Sequence, residues 1–137
     1  MKIFLDTNVY VAEALRGAGA ARMIKATLTG RWRIYFSDYV VDELAKVLTE
    51  HIGLSPKLAS LAREKISKRS VLVTATASGT VPEDAKDTPV LQAAVACGAD
   101  YLVSNDRHLL ALNPFHGLRI VSMDSYFQLL RNEGLLK

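Results

Sequence analysis

Met1-Lys2-Ile3-Phe4-Leu5-Asp6-Thr7-Asn8-Val9 opens the chain, and its reading decides the fold. An apolar run without turn residues ends abruptly on an acid. Such a run reads as a strand buried on both faces, with Asp6 at its carboxyl end. In open parallel α/β sheets, ligands bind at that end, in the crevice where the strand order reverses. A carboxylate after a strand is also the ordinary N-cap of the next helix, so Asp6 alone leaves both readings open.

The other elements repeat the pattern. Arg33-Ile34-Tyr35-Phe36-Ser37, Val71-Leu72-Val73-Thr74, Tyr101-Leu102-Val103-Ser104 and Arg119-Ile120-Val121-Ser122 are four further short strands. Helical periodicity lies between them, over residues 7–15, 20–29, 39–51, 87–98 and 107–112, with a last helix over 125–131. Ser55-Pro56 starts another helix, in the order of N-cap then proline in the first turn. Its apolar stripe is Leu58, Leu61, Ala62 and Ile66. Strand and helix alternate throughout, which predicts a three-layer α/β/α sandwich around a parallel five-stranded sheet. Right-handed crossovers and a switch point beside the first strand give the order 3-2-1-4-5. That order makes the first and fourth strands neighbours and sets Asp6 and Asp106 side by side.

Size and composition bound the rest. A chain of 137 residues, half apolar and 23% charged, is globular and reads as a single domain over 1–137. The formal charge of +3 permits a nucleic-acid partner without demanding one. Cys97 is the only cysteine, which excludes a disulfide within the chain. The opening apolar stretch is too short for a signal peptide and no run is long enough for a membrane span, so the expected compartment is the cytoplasm.

Two more acids join the pair. Asp38 is placed to cap the 39–51 helix, on which Val40, Val41, Leu44, Val47 and Leu48 share a face. Glu43 falls at the rim of that face, although a solvent-facing glutamate is the commoner case. Asp87 continues the stripe of Val90, Leu91, Ala94 and Val95 and so points along the buried side of its helix. Asp84 is off that register. Asp6, Glu43, Asp87 and Asp106 thus converge on one sheet edge. Two carboxylates about 4 Å apart repel by roughly 4 kcal/mol at an effective dielectric near 20, so four together call for a cation. All-oxygen ligands point to Mg²⁺ or Mn²⁺. His51, His108 and His116 lack zinc-ligand spacing, and no Gly-rich phosphate loop follows the first strand.

Carboxylates around such an ion do phosphoryl-transfer chemistry, and a phosphodiester brings further metal ligands of its own. An acidic pocket repels the phosphates on either side of the reacting one, so flanking cations are needed. Arg22, Lys25, Arg31, Arg33 and the basic helix from Lys57 to Arg69 are the candidates. The residues from Ala75 to Lys86 form a long connection, expected to shape substrate access.

Leu5-Asp6-Thr7-Asn8-Val9, Ser37 followed by Glu43-Leu44, Asp87 with Leu91 and Ala94, and Leu102-Val103-Ser104-Asn105-Asp106 with Leu109-Leu110 together resemble the PIN-domain ribonucleases. The likeness runs from Ile3 to about Leu130. It implies a parallel α/β/α fold and an acidic Mg²⁺/Mn²⁺ site that hydrolyses RNA, with Asp6, Glu43, Asp87 and Asp106 as the acidic quartet. It also implies that Asn8 and Ser104 hydrogen-bond and orient those acids. Asn105 stands where the family often has glycine. The size resembles that of VapC-type toxins, which implies a homodimer and a possible antitoxin partner. A PIN-like module that holds RNA or protein without cutting is the competing reading. A haloacid-dehalogenase-like phosphatase would need a second aspartate two residues after Asp6, where Asn8 stands.

Overall fold

A computed structural model of the chain describes residues 1–15, 17–73 and 88–137. Among them, five strands form one parallel sheet: β1 (Lys2–Leu5), β2 (Arg33–Ser37), β3 (Val71–Val73), β4 (Tyr101–Val103) and β5 (Arg119–Val121). Their order is β3-β2-β1-β4-β5, as right-handed crossovers and a switch point beside the first strand predict. Ile3, Phe4 and Leu5 of β1 and Leu102 and Val103 of β4 are buried almost completely. Burying one such side chain contributes about 1.5–3 kcal/mol, and this makes the two strands the centre of the core.

The strands alternate with α1 (Thr7–Ala14), α2 (Ala18–Thr29), α3 (Asp38–Lys46), α4 (Pro56–Arg69), α5 (Thr88–Ala96), α6 (Arg107–Leu110) and α7 (Met123–Asn132). The fold is a three-layer α/β/α sandwich. A π-helical turn, Val47–His51, continues α3 toward α4. Ser37, not Asp38, caps α3: its hydroxyl accepts from the Val40 N–H, and Asp38 becomes the first helical residue. Ser55 caps α4 with Pro56 behind it, as predicted. Gly98 ends α5 with a left-handed φ of 69°. Gly30 has an ordinary φ; it is small because the Leu135 side chain lies 2.6 Å from where its Cβ would be.

Two predicted stripes shift. On α4 the fully buried residues are Ala59 and Ile66, while Leu58 and Leu61 are each 50% exposed. On α5, Val90, Leu91, Ala93 and Ala94 are buried and Val95 is exposed, so Ala93 replaces Val95. In both cases the helix rests on the sheet along a narrower line than its apolar residues mark out. Far from the sheet edge, Glu13 ties α1 to α4. Its carboxylate takes both Arg69 guanidinium nitrogens, at 2.7 and 2.9 Å, and lies 3.4 Å from Lys65 Nζ. No described helix is long and apolar enough to cross a membrane.

Candidate metal centre at the carboxyl edge

The sheet register brings the strand-end acids together. Leu5 is opposite Val103, and the Asp6 N–H donates to the Val103 carbonyl at 3.0 Å, so β1 delivers Asp6 beside Ser104. Two residues on, Asp106 leaves the end of β4. Ser104 joins them. Its Oγ donates to Asp6 Oδ2 at 2.7 Å and accepts from the Asp106 N–H at 3.0 Å. A serine hydroxyl has one hydrogen and two lone pairs, and this arrangement uses the hydrogen and one of the pairs.

Both acids also begin helices. Asp6 Oδ1 accepts from the Thr7 N–H at 2.8 Å and caps α1; Asp106 Oδ1 accepts from the His108 N–H at 2.8 Å and caps α6. The capping reading and the edge-acid reading of Asp6 therefore hold together. Asp6 is buried to 7% exposure, and burial pushes its carboxyl above the ordinary aspartate range. The Ser104 and Thr7 hydrogen bonds pull it back, and the charges of Glu43 and Asp106 push it up further. Asp6 thus feels both other acids electrostatically.

Glu43 arrives from the other side. α3 leaves the carboxyl end of β2, and Glu43 is half-buried on the same helix face as Val40 and Leu44, against β2 and α1. Its Oε2 accepts from the Tyr39 hydroxyl at 3.0 Å. Asp6, Glu43 and Asp106 line one cleft of ≈ 320 Å³, together with Thr7, Asn8, Val47, Val90 and Leu109 among the described residues. Asn8 is exposed on the first turn of α1 and makes no hydrogen bond to the three acids, unlike Ser104. Asp87 and the connection from Ala75 to Lys86 lie outside the described residues, as does Asp84. Sequence reasoning missed Thr7, Tyr39 and Val47. Tyr39 had a signal, an aromatic hydroxyl four residues before an acid on one helix face.

The donor set is entirely oxygen, which suits a hard cation. Thr7 Oγ1 is a buried atom without a hydrogen-bond partner on a residue that lines the same cleft. Among the described residues, no three acidic, histidine or cysteine side chains are gathered closely enough to enclose an ion by themselves. Mg²⁺ is commonly held by one or two carboxylates while keeping several waters, so an open acidic cleft fits it better than a closed cage would. A larger cleft of ≈ 410 Å³ lies between α1, α3 and α4, lined by leucines with Tyr10, Glu13 and Lys65. It has no cluster of acids and offers no comparable chemistry.

Some of the cations proposed to flank the site are elsewhere. Arg33 pairs with Lys2 at the amino ends of β2 and β1, and Arg31 precedes it, so both occupy the sheet edge opposite Asp6. On α4, Arg63 is paired with Asp42, and Lys65 and Arg69 with Glu13. Arg107 directly follows Asp106 and is exposed at the carboxyl edge.

A comparison with curated proteins finds no match. The family model described as PIN domain matches residues 2–108, more than three quarters of the chain and the span that carries Asp6, Glu43 and Asp106. The chain belongs to the PIN-domain family, whose members are commonly nucleases that use divalent metal ions.

Proposed function

We propose that residues 1–137 form a single PIN-like domain that hydrolyses RNA phosphodiester bonds as a Mg²⁺- or Mn²⁺-dependent endoribonuclease. The observation that carries this reading is the cleft lined jointly by Asp6, Glu43 and Asp106. These three acids would hold the ion, with Asp87 as the fourth of the set. When bound, the ion supplies an activated water and offsets charge on the phosphodiester oxygens.

The protein's own part is positioning. Ser104 fixes the direction of Asp6 and the backbone of Asp106, and each acid is locked further by the helix it caps. Asn8, exposed at the mouth of the cleft, is placed to meet substrate more readily than to orient the acids. Arg107 supplies a cation on the same edge for a neighbouring phosphate.

The finer reading is a cytoplasmic toxin of a toxin–antitoxin pair that works as a homodimer. Support for a protein partner comes from the ≈ 410 Å³ cleft, where half-exposed Leu58 and Leu61 border Lys65. An antitoxin segment with apolar side chains suits that surface.

The test is cleavage of a mixed structured and single-stranded RNA pool in Mg²⁺, Mn²⁺ or EDTA, with Asp106→Asn purified in parallel. Metal-dependent cutting by the wild type alone is the expected result. Equal silence of both proteins, together with Mn²⁺ binding absent from the wild type, would leave the non-cleaving RNA- or protein-binding module in its place.

A further inference from the structure

We infer that Tyr39 is a positioning residue for Glu43: its hydroxyl holds that carboxylate in the one arrangement that presents it to the acidic cleft. The inference rests on the metal-nuclease reading of the cleft and adds to it a residue outside the acidic set.

The three acids differ in how they are held. Asp6 has two anchors, the Thr7 N–H and the Ser104 hydroxyl. Asp106 is short, caps α6 and is fixed through the His108 N–H. Glu43 has one more methylene than either, and ordering a glutamate side chain gives up more rotamer freedom than ordering an aspartate. Among the described residues no backbone N–H reaches its carboxylate, and Tyr39 supplies a hydrogen bond to it at 3.0 Å.

Helix geometry explains why that residue does it. Positions four apart lie one above the other on a helix, so Tyr39 and Glu43 meet on a single face of α3. The Tyr39 ring packs against the core, which fixes the hydroxyl before it meets the carboxylate. The bond occupies Oε2, and Oε1 accepts no hydrogen bond from any described residue. One oxygen is tethered and the other is left for a ligand, whereas both Asp6 oxygens already accept a hydrogen bond. Partners of this outer kind commonly change metal affinity by about 10-fold or more when removed.

The test uses Tyr39→Phe in the full chain, which keeps the ring and deletes only the donor. Mn²⁺ binding without RNA, followed by electron paramagnetic resonance, should weaken about 10-fold, with the melting temperature of the metal-free protein little changed. At saturating Mn²⁺ the cleavage rate should largely recover. In a Glu43→Ala background, Tyr39→Phe should have no further effect on Mn²⁺ affinity, because the group it acts through is gone. An equal loss in that background would overturn the inference. So would unchanged Mn²⁺ affinity in the single variant.

A second arm needs neither metal nor RNA. Three-bond NMR couplings of the Glu43 methylenes should report one rotamer in the wild type and an average in Tyr39→Phe. A wild type that binds no Mn²⁺ and cuts no RNA would sink the nuclease reading. The couplings alone then judge the tether: averaging confined to the variant upholds it, and identical couplings in both proteins overturn it.

Discussion

Ser104 and Asp6 are joined by a 2.7 Å hydrogen bond across the two central strands of the sheet, and the same serine oxygen receives the backbone N–H of Asp106. One hydroxyl therefore sets the direction of a buried carboxylate on β1 and the path of the chain leaving β4. The edge is held by side chain and backbone together, so each end moves if the serine is lost.

Ser104→Ala removes both contacts without adding bulk. We expect cleavage to fall by about 10- to 100-fold, as for other groups that orient metal-binding side chains. Losing a hydrogen bond to a charged group and leaving the Asp106 N–H unmet should cost about 1–3 kcal/mol of stability. Denaturant unfolding and cleavage rates measured side by side check this; full activity in the variant would show that Ser104 orients nothing the reaction needs.

Asp6→Asn should separate stability from function. Burial raises the Asp6 carboxyl above its ordinary range in the folded chain. Between the ordinary and raised values the folded form keeps a proton that the unfolded form has lost, so stability falls as pH rises through that window. Asparagine keeps an acceptor for the Thr7 N–H and can donate to Ser104 Oγ, with no charge to bury. In chelator, the variant should melt above the wild type at pH 7, and the gap should close as pH falls toward the ordinary aspartate range. Cleavage should drop by at least about 100-fold. A variant that melts lower at pH 7 would contradict the burial argument.

Arg69→Ala should destabilise the chain by roughly 3 kcal/mol while leaving the acid cleft intact, because it strands Glu13 with only Lys65. Burial alone would raise Glu13, but the Arg69 hydrogen bonds and charge, helped by Lys65, outweigh it and hold the carboxyl below its ordinary range. The sign is opposite to that of Asp6: this contribution is present above the unfolded-state value and is lost as pH falls through the lowered one. Unfolding curves across acid pH should show the wild type losing this increment and Arg69→Ala lacking most of it.

The position of the cations makes a fourth prediction. Arg33→Ala should leave RNA affinity within about twofold, since Arg33 pairs with Lys2 at the far end of β1. Arg107→Ala should weaken affinity and reduce its salt dependence by about one phosphate contact. Filter binding in chelator over a range of salt distinguishes them. A larger effect from Arg33 would move the RNA path to the opposite edge of the sheet.

Much of this is legible in the sequence. Short apolar runs ending on Asp6 and on Ser104-Asn105-Asp106 located β1 and β4, and chain connectivity made them neighbours. Glu43 was found because the apolar period of α3 left it at a rim. What periodicity missed was how far each helix face sinks. Leu58 and Leu61 carry the period of α4, yet burial depends on how many neighbours reach a position as well as on its angle around the helix. The Ser37 cap was missed because serine and aspartate stand side by side there and both are good caps. Sequence could not say which edge Arg31 and Arg33 occupy, for a different reason. A charge count ignores which end of a strand a residue is on, and the register with Lys2 decides that.

β1 is the middle strand of the sheet and precedes its other four strands in the sequence. Its partner β2 follows within a few dozen residues, but β4 begins only at Tyr101. A growing polypeptide therefore holds Ile3, Phe4 and Leu5 with one flank unpaired until β4 has been made, a long-range pairing that slows folding. Asp6 and Glu43 are made early, and the strand that completes their cleft comes late. Asp6, Glu43 and Asp106 cannot share a cleft until Asp106 has been added, so translation itself delays the assembly of the acidic edge.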